Sequence, residues 1–158
     1  MRRITLGQVR NTVLTASVVL VLDRLTKYVV MKTLSQGQSI KVVPGIFHIS
    51  LVLNKGSAFG LFKGQRLLFV SLSILAVFFI ISYIWRNIRQ YSSISFALGL
   101  ILAGAIGNLI DRLAFGYVID FLDFRIWPVF NIADSAIPIG TMIFIWKILK
   151  RKRCIPSS

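Results

Sequence analysis

The run LLFVSLSILAVFFIISYIW, from Leu67 to Trp85, holds 19 residues and no charge. As a helix it rises about 28 Å at 1.5 Å per residue, close to the roughly 30 Å hydrocarbon thickness of a bilayer. Three further apolar stretches complete a pattern of four expected spans at about 11–34, 67–85, 94–114 and 133–149. The first is interrupted by Asp23, Arg24 and Lys27, and no small-residue cleavage site closes it, so it is expected as an uncleaved span rather than a secretory leader. The third is rich in Gly and Ala and ends in Asn108, Asp111 and Arg112. Together these define an α-helical integral membrane protein, one membrane domain over 1–158.

Charge supports that class. Lys and Arg number 19 against 5 acidic residues, a net charge of +14, on a chain that is 56 % hydrophobic. In a polar chain such an excess would suggest nucleic acid; on one this apolar it marks membrane boundaries, and no nucleic-acid partner is expected. Arg2, Arg3 and Arg10, then Arg86 and Arg89, then Lys147, Lys150, Arg151, Lys152 and Arg153 fall on one side of a four-span chain. Both termini are therefore expected in the cytoplasm. Lys32, Lys41, Lys55, Lys63 and Arg66 oppose this from the other side. The segment 37–63 is too polar to span, and its β-branched and aromatic residues, punctuated by Pro44, Gly45, Gly56 and Gly60, predict a small β-rich extracytoplasmic element on the membrane surface. The basic tail, 151–158, is expected to be disordered.

Cys154 is the single cysteine and His48 the single histidine, which excludes a disulfide within the chain and any multi-histidine metal site. There is no Glu, so carboxylate chemistry must come from Asp23, Asp111, Asp120, Asp123 and Asp134. Ionisable groups at membrane depth are expensive unless they face a protein interior or water, and four of these five gather toward the external ends of the spans. Asp23 and Lys27 stand at i,i+4, which suits either a neutralising pair or part of a site. Asn108, Asp111 and Arg112 share one helical face, as polar glue or as site residues. Gly99, Ala103 and Gly107 recur at four and predict a close-packed face. Asp123 reads as an ordinary loop acid, His48 as a surface or interfacial residue, and Tyr117 and Trp127 as part of an aromatic belt.

Asp120 and Asp134 are separated by 14 positions across a segment that must turn between two spans. If the turn brings them together they share a proton and can act on water and a carbonyl together; the alternative is a structural or ion-binding role. A proton-coupled transporter and a purely structural subunit remain open on the residues alone.

Five blocks in order carry a resemblance: DRLTK at 23–27, NKGSAFG at 54–60, GAIGNLIDR at 104–112, VIDF at 118–121 and FNIAD at 130–134. In these the chain resembles the bacterial lipoprotein signal peptidases, or signal peptidase II, over nearly its whole length, with small-for-small departures at Ala103 and Ser57. The resemblance implies an aspartyl endopeptidase that cuts diacylglyceryl-modified prolipoproteins just before the lipidated cysteine. It assigns Asp120 and Asp134 as the catalytic dyad, with Asp23, Lys27, Asn54, Gly56, Asn108, Arg112 and Asn131 as supporting or substrate-binding residues. It implies no metal or other cofactor, cyclic peptide inhibitors of the globomycin type, contact with membrane lipids, a monomer, and an active site on the extracytoplasmic face of the bacterial inner membrane.

Overall fold

A computed structural model describes residues 6–56, 66–87 and 94–152. Four helices and three strands run in the order α1 (Leu6–Thr33), β1 (Ser39–Val43), β2 (Phe47–Asn54), α2 (Arg66–Asn87), α3 (Ser95–Ala114), β3 (Val118–Asp123) and α4 (Ile132–Lys152). Gly60, most of the expected basic tail and the last part of the 37–63 segment lie outside the described residues.

Among the described residues three helices are long and apolar enough to cross a membrane: Leu67–Arg86, Ser95–Ala114 and Ile132–Lys150. They differ in what they face. None of the first is buried inside the protein, whereas about half of the second is. An apolar helix with no buried face belongs against lipid, and the small residues of α3 explain why it alone sits centrally. It packs chiefly against α4 and α1.

The contacts are close because glycine permits them. A Cβ on Gly99 would stand 2.7 Å from the Thr15 Cβ and 2.8 Å from the Thr12 carbonyl oxygen of α1. On Gly107 it would stand 2.9 Å from an Asp23 carboxylate oxygen, and on Gly140 of α4 it would stand 2.8 Å from the Ala97 carbonyl oxygen. The face expected at Gly99, Ala103 and Gly107 thus meets α1, while Gly104 meets the Ala133 carbonyl of α4. Membrane helices associate through such small-residue contacts because lipid offers no hydrophobic drive between them.

The β element is a three-stranded antiparallel sheet in the order β1-β2-β3. Pro44 and Gly45 make the β1-β2 turn: Gly45 has φ 76°, and the Ile46 N–H donates to the Val43 carbonyl at 3.0 Å. That is the Pro-Gly geometry of a type II turn. The third strand was not expected from the sequence, where Val118–Asp123 falls in the segment between the third and fourth spans. It pairs with β2, Val52 opposite Asp120 and Asn54 opposite Val118. Under the sheet, Val30 from α1 packs with Leu51, Ile119 and Phe121.

Two local expectations are corrected. His48 is buried rather than superficial, its Nδ1 3.2 Å from the Ser39 Oγ, because strand pairing turns it inward opposite Asp123. Asp123 is no plain loop acid: it ends β3 and is buried, accepting from Ser50 Oγ at 2.8 Å and from the Arg125 backbone N–H at 2.9 Å. Those bonds and the ion pair with Arg125 hold its carboxyl below the usual carboxylate range, against the opposing effect of burial.

Gly104→Ala is expected to lower stability by about 1–3 kcal/mol, since a backbone carbonyl cannot yield as a side chain can. Gly7→Ala, where a Cβ meets nothing within 4 Å, serves as the neutral control. Thermal unfolding in detergent compares the two, and equal midpoints would contradict the close α3-α4 contact.

Candidate active site

Asn131 starts the site. It precedes the first residue of α4, and its Oδ1 accepts the Asp134 N–H at 2.8 Å, the N-cap arrangement that Asn favours. With the Oδ1 so engaged, its Nδ2 faces the other way and donates to Asp120 Oδ1 at 2.7 Å, with further contacts to Asn108 Oδ1 at 3.2 Å and the Ile119 carbonyl at 3.3 Å. Asn108 in turn donates to Asp134 Oδ1 at 2.6 Å. One helix cap therefore links Asp120 on β3 to Asp134 in the first turn of α4, through two asparagine side chains.

Asn54 closes the other side. Its Oδ1 accepts the Gly56 N–H at 3.0 Å, so its Nδ2 is turned to Asp120 Oδ2 at 2.9 Å. Asp120 is 1 % exposed and Asp134 is partly buried. Burial and the nearby charge of Asp134 push the Asp120 carboxyl up to about 7, against the lowering effect of the Asn54 and Asn131 amides and of Lys27. A carboxyl that exchanges its proton near neutral pH beside a second carboxylate lets the pair donate and accept in the same step.

Behind the pair lies an ion cluster buried between α1 and α3. Asp23 Oδ2 meets Lys27 Nζ at 2.9 Å and an Arg24 nitrogen at 2.6 Å. Asp111 meets the same two cations at 2.7 Å each. Each acid also holds a backbone N–H beside a dyad candidate: Asp23 Oδ1 accepts from Ala133 at 3.1 Å, and Asp111 Oδ2 from Ile119 at 3.2 Å. Asp23 and Lys27 are thus joined as their spacing suggests. Asp111 turns to Arg24 and Lys27 of α1 rather than forming a local neutral cluster with Arg112. Arg24 is the residue that sequence reasoning missed; the available signal was charge parity, two acids and two cations at one depth.

Arg112 reaches toward α2, donating to Ser73 Oγ at 3.1 Å with its guanidinium 5.4 Å from the Phe69 ring centroid. Its charge acts on Asp134, Asp120 and Asp111. Of the residues singled out in sequence, Asp120, Asp134, Asn54, Asn108 and Asn131 form one bonded network, joined to Lys27 by its Nζ at 3.4 Å from Asn108 Oδ1. Gly56 braces Asn54, Asp23 braces α4, and Arg112 stands between the network and α2. Among the described residues no group of three or more His, Cys, Asp or Glu is placed to hold a metal ion.

The family model described as signal peptidase (SPase) II matches residues 15–150. The chain belongs to the signal peptidase II family. The family cleaves signal peptides from prolipoproteins in lipoprotein maturation, which decides against the transporter and assembly-subunit readings. The lipoprotein signal peptidase of Halothermothrix orenii is 41 % identical over 133 residues, 82 % of this chain and 91 % of the relative. That of Moorella thermoacetica is 43 % identical over 136 residues, 86 % and 91 %. A bacterial membrane enzyme solved by the in meso method superposes with a TM-score of 0.85 at 32 % identity, covering 93 % of each chain.

Removing Asp111 leaves Lys27, 2 % exposed, short of a partner in the interior. Asp111→Ala is expected to cost about 3–5 kcal/mol, the scale for breaking one side of a buried pair. Arg125→Ala breaks a pair whose cation is about half exposed and should cost under about 1 kcal/mol. Chemical denaturation in mixed micelles ranks the two; the reverse order would show that the cluster does not hold the fold.

Proposed function

We propose that Asp120 and Asp134 are the catalytic dyad of an intramembrane aspartyl endopeptidase that cuts a diacylglyceryl-modified prolipoprotein just before its lipidated cysteine. The observation that carries this is the asparagine-bridged pair at the junction of β3 and α4, with Asp120 holding its proton up to about 7. The pair keeps one proton between them near neutral pH. The ionised carboxylate takes a proton from water as the water oxygen bonds to the scissile carbonyl carbon, and the protonated one donates to the carbonyl oxygen. The tetrahedral intermediate then loses its carbon–nitrogen bond, and the proton taken from water passes to the leaving amine. Asn108 and Asn131 hold the carboxylates, and Arg112 offsets the negative charge of the dyad. Asn54 and Gly56 line the strand end beside which the substrate lies. Cyclic peptides of the globomycin type would compete for the same place.

The reading includes a membrane topology. α1 is taken as a fourth span, because its buried Asp23 and Lys27 and half-buried Arg24 are paired inward while Val13, Leu14, Val18, Val21, Leu22 and Leu25 face outward. An internally neutralised helix of this kind can lie in lipid. With both termini in the cytoplasm, the sheet and dyad lie at the extracytoplasmic face. There a substrate held by two acyl chains presents its cleavage site. A cysteine placed at Val18 in a Cys154→Ser background should resist an aqueous maleimide, and ready labelling would remove α1 from the membrane.

Asp120→Asn and Asp134→Asn should each lower cleavage of a lipid-modified prolipoprotein by about 10³-fold or more, read as a gel shift. Retained cleavage by either folded variant would reject the pair. The rate should fall as pH rises through about 7, where Asp120 loses its proton. Asn54→Ala removes a donor that favours the ionised form, so the alkaline limb should move to higher pH. A limb that stays put or moves down contradicts the assignment.

A further inference from the structure

Beside Ile119, whose side chain alternates with that of Asp120 along β3, a groove of about 580 Å³ opens along α1, within the range of small-molecule sites. Its cationic lining is Arg24, Lys27 and Lys32, with no acid among the described residues that line it. The apolar lining includes Leu25, Met31 and Phe115. Lys32 belongs to the last turn of α1 and Phe115 follows the end of α3, so the groove sits at the sheet end of the bundle, at headgroup level in the topology proposed above.

We propose that this groove binds one anionic glycerophospholipid of the outer leaflet, its phosphate at Lys32 and the exposed edge of Arg24, an acyl chain along Leu25 and Met31. Charge complementarity selects that occupant. Asp23 and Asp111 already neutralise Lys27 and Arg24, so Lys32 is the surplus positive charge, its ammonium 5.8 Å from the centroid of the exposed Tyr28 ring. Arg24 is about one quarter exposed, and its guanidinium, the group best matched to phosphate oxygens, lines the groove while its terminal nitrogens donate to Asp111, Asp23 and the Gly107 carbonyl. The apolar side chains beside it face the bilayer, so a lipid chain enters without crossing a polar barrier.

The site has a direct line to the dyad. Arg24 donates to Asp111 at 2.7 Å, and Asp111 accepts the Ile119 N–H at 3.2 Å, one residue before Asp120.

The proposal rests on α1 lying in lipid, which maleimide labelling at Val18 tests separately. Delipidated full-length protein in detergent is examined by native mass spectrometry with phosphatidylglycerol, with diacylglycerol of the same chains, and with inorganic phosphate as competitor. One phosphatidylglycerol should be retained at about tenfold lower concentration than diacylglycerol, and inorganic phosphate should not displace it. Lys32→Glu and the groove-filling Met31→Trp should each cut that occupancy about fivefold or more, while Lys147→Glu at the other end of the bundle leaves it intact. Equal retention of diacylglycerol by wild type overturns the phosphate site, displacement by inorganic phosphate overturns the lipid assignment, and undiminished binding by both groove variants overturns the location.

Discussion

Asp23, Lys27 and Asp111 are almost wholly withdrawn from solvent, and with Arg24 they form a neutral set of two carboxylates and two cations. Charges in such a place are tolerated only in company, because desolvation of any one of them alone costs several kcal/mol. The set therefore acts as a unit and imposes a geometry. α1 and α3 must meet at the depth where the four charges can touch, and Gly107 allows the approach by leaving no Cβ where Asp23 stands. Each carboxylate has an oxygen left for the backbone, and the two N–H groups it serves belong to Ala133 and Ile119. The cluster that lets α1 sit among apolar helices thus also fixes the segments bearing Asp134 and Asp120.

The rest of the molecule divides by what surrounds it. α2 is largely apolar and none of its span is fully buried, whereas α3 interleaves small residues with apolar ones, places its polar residues near its C-terminal end, and supplies the contacts for the other helices. Beyond the helix ends the sheet covers the top of α1, its core of Leu51, Ile119 and Phe121 resting on Val30. Because β3 is the strand nearest that core, Asp120 is carried on a rigid element rather than on a loop. The pairing of Asn54 with Asp120 follows from strand register, a diagonal two positions from direct opposition. The asparagines then do what lysines could not: they hold two carboxylates close without supplying a positive charge that would ionise both.

Much of this was legible in the chain. A charge-free run of 19 residues can be little but a lipid-facing helix, and small residues at intervals of four announced the close face of α3. Asp23 and Lys27 declared their pairing by helical spacing. Five ordered motif blocks identified the family, and the bonded network gathers residues from four of them. What was not legible depended on contacts distant in sequence. Val118–Asp123 has strand composition but lies in a segment expected only to connect two spans, so only its pairing with β2 identifies it as a strand. His48 looked superficial because nothing near it in sequence turns it inward; its burial comes from the antiparallel register that sets it opposite Asp123. Arg24 looked like one more boundary cation until α3 placed Asp111 against it.

The sequence by itself determined the solvent this protein lives in, the number of carboxylates available and the family it belongs to, because hydropathy, residue counts and local motifs are properties of neighbouring positions. Tertiary structure alone decided which carboxylates share a network and which are neutralised. Asp111 and Asp120 are nine residues apart and look alike in the chain, yet one is bound by two cations and the other by two amides. The difference is which helix or strand packs against each, and that is set by long-range packing that local sequence does not encode.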